Sequence, residues 1–160
     1  IDTAAAIRYD HRGRRLAIVG SKETRDSYGM RANTGIVQMI DLATAADSIE
    51  GKQILNGMGS AKKAADAENN RIIYTFDPDW PQRPENIEAV DFNPDDTVLA
   101  VGASTGAVQL IDLATETIIN TYFYNKDYAV HDLSFHPNGG SLGTAHLMQA
   151  AHIIYFKEKK

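Results

Sequence analysis

The chain has no cysteine among its 160 residues, so it forms no disulfide bond and offers no thiolate ligand to a metal ion. It also lacks any apolar run of about 18 residues, the length that a membrane-spanning helix needs. No signal-peptide pattern opens the sequence. These absences predict an intracellular, cytoplasmic protein that inserts into no membrane.

Charge and aromatic content argue against a nucleic-acid partner. The formal net charge is −5, and only 8% of the residues are aromatic. Nucleic-acid binding needs basic patches with interleaved aromatic side chains. The early basic residues form a hairpin that carries Arg8, Arg12, Arg14 and Arg15, while residues 77–96 hold seven acids and one arginine. Opposite charge predicts that two copies, or two halves of one chain, meet through these regions.

The stretch Ile87–Leu113 has the pattern of an antiparallel meander. Apolar residues of a first strand are followed by Asn-Pro-Asp-Asp, which is turn chemistry, because proline presets φ and Asx side chains bond nearby amides. The run Val98–Gly102 is continuously apolar, as expected for a strand covered on both faces. A third strand begins after Ser104–Gly106, and an outer strand is predicted at Thr117–Tyr124.

The rest of the chain repeats this meander. Gly35–Thr44 matches Gly106–Thr115 at eight of ten positions. Tyr9, Phe92 and Phe135 hold the same place at the end of a first strand, with separations of 83 and 43 residues. A period in the low forties built from strands is typical of a propeller with four-stranded blades.

These motifs carry a family resemblance. The pattern apolar-x-x-apolar-x-Phe-x-Pro-Asp/Asn, then Leu-Ala-Val-Gly, then Val-x-Leu-x-Asp resembles the WD-repeat β-propeller family over most of the chain. The tryptophan usual before the family's aspartate is Ile40 before Asp41 and Ile111 before Asp112. The resemblance implies an all-β fold of divergent propeller blades, with Asp41 and Asp112 capping turns, and a non-catalytic scaffold role.

The length and the repeats predict one propeller segment over residues 1–160, with three to four blades at about 3–58, 59–86, 87–124 and 128–157. The first blade has strands at about 4–9, 15–20 and 35–42, and Lys52–Met58 is its predicted outer strand. The second blade is degenerate, with Arg71–Phe76 as a recognisable strand. Because propellers close with about four to eight blades, we expect this segment to be part of a larger propeller. The expected partners are further blades of a longer chain or other protein subunits.

Two regions are the predicted contact surfaces for protein partners. Ser21–Thr34 is a long polar insertion, predicted to be a loop that projects from one rim of the first blade, and Asp77–Asn86 is a proline-rich loop with the single tryptophan. Rim loops often carry binding residues, although a tolerated surface insertion is the simpler interpretation. The candidate partner-binding residues are Arg25, Tyr28, Arg31, Trp80 and Arg83.

The sequence offers no convincing catalytic, cofactor or metal site. Phosphate loops, Gly-x-Ser-x-Gly and His-Glu-x-x-His are absent. His146 and His152 flank a turn and are expected to approach each other, but two histidines without a third ligand make a weak metal site. The alternatives are an enzyme with its site at the propeller axis and a self-assembling propeller fragment. The apolar runs Leu16–Val19 and Val98–Val101, taken as innermost strands, argue against the enzyme.

Overall fold

A computed structural model describes residues 1–25, 29–42, 70–75, 86–123, 128–148 and 151–156. The described residues form three antiparallel sheets, each a meander. The first blade contains β1 (Thr3–Tyr9), β2 (Arg15–Arg25), β3 (Arg31–Asp41) and β4 (Asn70–Thr75). The second blade contains β5 (Ile87–Phe92), β6 (Val98–Ala103), β7 (Ala107–Asp112) and β8 (Thr117–Phe123). The third blade contains β9 (Val130–Phe135), β10 (Ser141–His146) and β11 (His152–Tyr155).

Local turn chemistry sets these boundaries. The N–H groups of Thr97 and Val98 donate to Asn93 Oδ1 at 2.9 and 2.8 Å, which closes the turn between β5 and β6. The N–H groups of Ala114 and Thr115 donate to the carboxylate that ends β7, at 2.9 and 2.8 Å. The predicted capping role of Asp112 is therefore confirmed.

Two apolar clusters fill the spaces between the blades. Both contain residues of the second blade, because successive side chains of a strand point to opposite faces of the sheet. Leu99 and Val101 of β6 face the first blade, where they join Val19 and Met39. Ala100, the residue between them, faces the third blade. The further members of that second cluster are Ala89, Val108, Leu110, Val130, Leu133 and Leu142.

The first strand of each blade lies nearest the centre of the arrangement. β5 packs against β1 on one side and against β9 on the other. β2 and β6, which the sequence analysis had taken as innermost, are the second strands of their sheets. That assignment was wrong. A run that is apolar on both faces indicates a strand in the interior of a sheet, but it does not indicate how far the strand lies from the propeller axis.

Two further strand predictions need correction. The predicted loop Ser21–Thr34 is mostly paired strand, since β2 and β3 continue in register as far as Arg25 and Arg31. β4, predicted as part of a degenerate second blade, pairs with β3 and is the fourth strand of the first blade. Lys52–Met58 lies outside the described residues.

Each blade has a β-bulge at the same place in its first strand. One residue is left out of the pairing between the first two strands: Ala5 in the first blade, Glu88 in the second and His131 in the third. A bulge leaves one residue outside the ladder and redirects its side chain. The repeat therefore extends to an irregularity of the backbone.

Candidate partner-binding surfaces

The extended ends of β2 and β3 form a two-stranded ribbon, residues 22–25 paired with 31–34. β1 pairs with β2 only as far as Ser21, so the ribbon projects past the first blade. Its side chains bond locally. Arg31 Nε lies 3.3 Å from a Glu23 carboxylate oxygen, and Arg25 Nη1 donates to Gly29 O at 3.1 Å.

The ribbon holds two of the candidate partner-binding residues. Arg31 is exposed over 77% of its side chain, and Met30 beside it is 67% exposed. Tyr28, Trp80 and Arg83 lie outside the described residues. The structure therefore brings Arg25 and Arg31 together on one projection.

A polar network joins the turn between β1 and β2 to the turn between β5 and β6. The N–H of His11 donates to Asp96 Oδ1 at 2.9 Å, and His11 Nδ1 lies 2.7 Å from the same oxygen. Arg15 Nη2 donates to Asp96 O at 2.6 Å, and Arg12 Nε lies 3.9 Å from Asp96 Oδ2. The predicted meeting of the basic hairpin with the acidic region is thus confirmed within one chain.

Asp96 adopts a backbone conformation that the other two blades assign to glycine. Its φ is +61°, and the equivalent turn positions are Gly13 at +64° and Gly139 at +73°. A non-glycine residue in the left-handed region costs free energy, so surrounding contacts must hold it there. The bonds that His11 and Arg15 make to Asp96 supply that restraint.

Asp10 organises the basic hairpin from inside. Its side chain is almost fully buried, and it accepts the N–H groups of Arg14 and Arg15 at 2.7 and 3.1 Å. Arg15 Nε also donates to Asp10 Oδ2 at 3.1 Å. Burial raises the pKa of Asp10, but the hydrogen bonds from Arg15 and Arg14 outweigh it and hold the pKa below its ordinary value.

The innermost strands carry an ionisable cluster. Arg8 of β1 lies 3.5 Å from Asp91 Oδ1 of β5 and 3.8 Å from Asp132 Oδ1 of β9. Burial raises the pKa of Asp91, although the N–H of Phe135, which donates at 2.8 Å, lowers it. The bulged residues Glu88 and His131 pair at 3.0 Å. The argument that innermost strands lack polar residues was therefore wrong.

The two histidines of the third blade meet as predicted. The rings of His146 and His152 are 5.3 Å apart between centroids and lie edge to face. His146 is buried, its Nε2 lies 3.0 Å from Thr144 Oγ1, and burial lowers its pKa. Within the described ranges, no group of three or more His, Asp or Glu side chains is placed to hold a metal ion.

A groove of about 900 Å³ separates β8 of the second blade from the third blade. Its lining is apolar and aromatic with two asparagines, and none of the described lining residues is charged. The lining residues are Asn93, Val98, Leu110, Ile119, Asn120, Tyr122, Phe135, Gly139, Tyr155 and Phe156.

Comparison with known proteins agrees with this architecture. The family described as the anaphase-promoting complex subunit 4 WD40 domain matches residues 66–130, a range that includes the whole second blade. No curated protein matches the chain in sequence. Among solved structures, the β-propeller domain of Cps50 (Swd1) from Myceliophteria thermophila aligns over 97% of this chain with a TM-score of 0.59 and 16% identity.

Two further solved structures give the same result. Sqt1 from Chaetomium thermophilum aligns over 94% of this chain with a TM-score of 0.58 and 15% identity. A chain of the mitotic checkpoint complex aligns over 92% with a TM-score of 0.56 and 16% identity. The chain has the fold of a β-propeller segment. It spans about a third of the length of these three chains, namely 36%, 32% and 32%.

The β-propeller fold explains why the first strands of the three described blades pack side by side. Within the described ranges, no helical stretch has the length and hydropathy of a membrane span. Sequence reasoning missed the cluster of Arg8, Asp91 and Asp132. A signal was present, because Arg8 and Asp91 each precede the aromatic residue that ends a first strand.

Proposed function

We propose that this WD40 segment is a non-catalytic scaffold for protein–protein interactions within a larger assembly. The ribbon of β2 and β3 is the observation that carries the proposal. It is a paired and therefore stiff projection, and it presents Arg25, Met30 and Arg31 beyond the blade that supports it. Arginine and methionine are enriched at protein interfaces.

The likeness to propellers supports the proposal. One of the matching chains is a part of the mitotic checkpoint complex, and the family whose description matches belongs to the anaphase-promoting complex. Blades supply a rigid body, and projections at their rims supply contact residues. Tyr28, at the tip of the ribbon in sequence, and Trp80 with Arg83 in the proline-rich loop complete the proposed contact set.

The ionisable residues of the innermost strands bear on the enzyme alternative. Arg8 lies between Asp91 and Asp132, and Glu88 pairs with His131. In these pairs Arg8 faces carboxylates of the two other blades, and the Glu88 carboxylate lies against the His131 ring of the third blade. This arrangement suits a role in holding the blades together, so we propose no reaction for it.

The test compares quantitative affinity capture from a cell extract with the chain and with its Arg25→Ala/Arg31→Ala variant. We expect the variant to retain its folding stability, because Arg31 is largely exposed and both contacts are local. Proteins bound through the ribbon should decrease about fivefold or more, as expected when interface arginines are truncated.

Arg14→Ala is the matched control for charge. Arg14 is exposed, lies on the same blade and is far from the ribbon in the sheet. It should leave the captured set unchanged. Tyr28→Ala and Trp80→Ala should each weaken capture without unfolding the chain. Equal capture by the chain and all of these variants would refute the placement of the contact surface.

A further inference from the structure

The two arginines of the ribbon lie directly opposite each other on paired strands. Arg25 of β2 is the register partner of Arg31 of β3, at the end of their ladder. Opposed side chains of an antiparallel pair share one face, with Cβ atoms about 4.5–5.5 Å apart, and like charges in this arrangement are destabilising. The fold therefore holds two guanidinium groups side by side at the far end of a stiff projection.

The contacts of these arginines leave most of their hydrogen-bonding capacity unused. Arg25 Nη1 donates to Gly29 O at 3.1 Å, and Arg31 Nε lies 3.3 Å from a Glu23 carboxylate oxygen. A guanidinium group has five N–H donors, so each arginine commits one of them within the described part of the chain. Both residues are exposed, and their remaining donors are accessible to a partner.

Glu23 offsets part of this positive charge. It lies two residues from Arg25 on β2, and alternation along the strand places it on the same face. Its contact with Arg31 is exposed to solvent, and exposed ion pairs are weak, so a partner can displace it. Residues 22–34 carry three basic and two acidic side chains, whereas the whole chain has a net charge of −5. The ribbon is therefore a positively charged projection on an acidic chain.

The chemistry of this face fits the carboxylates of a protein better than a nucleic acid. A carboxylate accepts two parallel hydrogen bonds from a guanidinium group, and one placed between two such groups relieves their repulsion. Nucleic-acid binding depends on neutralising several phosphates, and the negative charge of the chain opposes a long polyanion. Met30, next to the pair and 67% exposed, offers a peptide an apolar contact as well.

We propose that the arginine pair binds an acidic segment of a partner protein, an inference that rests on the proposed scaffold function. A carboxylate of that segment bridges Arg25 and Arg31, and an apolar side chain beside it packs on Met30. Glu23 competes with the partner, because the bond between Glu23 and Arg31 is exchanged for the new contact. Since these charges are exposed to solvent, salt weakens the interaction.

The probe is a capped synthetic peptide, Glu-Glu-Leu-Phe-Glu-Glu, and the control is its neutral counterpart, Gln-Gln-Leu-Phe-Gln-Gln. Binding of each peptide to the whole chain is measured by fluorescence anisotropy at about 50 mM and about 300 mM salt. We expect saturable binding of the acidic peptide, with an affinity about fivefold or more lower at the higher salt concentration. The neutral peptide should not bind.

Four variants locate the binding site. Arg25→Gln and Arg31→Gln should each weaken binding of the acidic peptide about fivefold or more, as the loss of charged hydrogen bonds predicts. Arg14→Gln, an exposed residue of the same blade, is the control and should have no effect. Glu23→Gln should strengthen binding about two- to fivefold, because it removes a competing carboxylate. Misfolding cannot raise the affinity, so this last variant keeps the test valid if another does not fold.

Three results would overturn the inference. The affinity for the acidic peptide could be the same in the chain, Arg25→Gln and Arg31→Gln. A single-stranded oligonucleotide could bind more tightly than the peptide and displace it, which would assign the pair to phosphate groups. The variant Asp77→Asn/Asp79→Asn/Glu85→Gln could raise the affinity about tenfold, which would assign the arginine pair to an acidic segment of the same chain.

The extract experiment separates this inference from the proposed function. Capture could decrease in the Arg25→Ala/Arg31→Ala variant while the acidic peptide fails to compete with the captured proteins. That result would overturn the acidic partner and leave the ribbon as a contact surface. Unchanged capture by the same variant would refute the ribbon as the scaffold contact, and the inference with it.

Discussion

The two seams between blades are formed by equivalent strands but differ in the interactions that join them. The first seam, between the first and second blades, adds a network of charged groups around Asp10 and Asp96 to its apolar cluster. The second seam, between the second and third blades, has polar contacts on its innermost strands, where Glu88 pairs with His131 and the N–H of Phe135 donates to Asp91, and its remaining described contacts are close apolar packing. The rings of Tyr122 and Phe156 lie 6.4 Å apart between centroids, and Val130 fits against Gly102.

The difference shows that a blade can be joined to its neighbour in two ways without a change of sheet. A charged network depends on pH and on the geometry of each turn, whereas a packed seam depends on volume. Variants that affect one seam should therefore leave the properties of the other unchanged.

The largest effect is expected from Gly102→Ala in the second seam. A Cβ at Gly102 would lie 2.5 Å from Val130 Cγ1 and 2.7 Å from Val130 Cβ. Overpacking of this kind costs about 2–3 kcal/mol in the free energy of unfolding. Urea unfolding followed by circular dichroism measures the loss.

Gly143→Ala is the control for this prediction, since it makes the same change in β10. A Cβ there would meet only Ser134 O at 3.6 Å, an ordinary contact. The substitution should leave the free energy of unfolding unchanged or raise it by about 0.4–1 kcal/mol. Equal destabilisation by both variants would show that the second seam is not closely packed at Gly102.

A smaller effect is expected at Asp96 in the first seam. Asp96→Ala removes the acceptor of the His11 bonds and keeps a side chain at positive φ, so it should lower the free energy of unfolding by about 1–2 kcal/mol. Asp96→Gly removes the same acceptor but relieves the backbone, and should cost about 1 kcal/mol less than alanine.

The reference for this pair is His11→Ala, measured in the same unfolding experiment. The double variant His11→Ala/Asp96→Gly should be less destabilised than the sum of the two single variants, because both remove the contact between the His11 ring and the Asp96 carboxylate. A glycine variant no more stable than the alanine variant would contradict the view that contacts with His11 and Arg15 restrain a strained turn.

The smallest effect is the pH dependence of a buried acid, Asp10, and a half-buried acid, Asp91. The pKa of Asp10 is lowered in the folded chain, so its contribution to stability is present above its ordinary pKa of 3.8 and is lost as pH falls through the folded value. The pKa of Asp91 is raised, so its ionisation costs stability as pH rises from 3.8 through the folded value.

The measurement is the free energy of unfolding between about pH 3 and pH 7 for Asp10→Asn and Asp91→Asn. Asp10→Asn should lose stability relative to the unchanged chain mainly at the higher pH. The stability of Asp91→Asn relative to the unchanged chain should be greater at the higher pH than at the lower. The substitution removes the burial of a charge and keeps an acceptor for the N–H of Phe135. If the free energy of unfolding changed with pH in the same way for all three proteins, the opposite effects assigned to Asp10 and Asp91 would be contradicted.

Sequence reasoning predicted the meander at 87–124, which is the second blade of the structure, almost residue by residue. Turn residues such as Asn93 and the alternation of β5 to β7 act over short distances, and they are visible in the chain. β4 was misplaced, because it follows β3 only after residue 69 and no local signal states which strand it pairs with.

The candidate site was predicted in part. Arg25 and Arg31 do lie together on a projection. The prediction of a loop at Ser21–Thr34 was wrong because polar residues can also form exposed, paired strands. The bond between His11 and Asp96 joins residues 85 positions apart, and such a contact depends on how two blades stack. Asp96 in place of glycine was a readable anomaly in the aligned turns.

The bulge shared by the three first strands has an evolutionary consequence. Ala5, Glu88 and His131 belong to no ladder pair, so a mutation at these positions alters neither register nor the alternation of buried residues. Repeated units can differ at these positions with little loss of stability. A single substitution there can add an interaction between neighbouring blades. Glu88 and His131 use these positions to pair at 3.0 Å between neighbouring blades, whereas the alanine at position 5 has no side chain that could form such a pair.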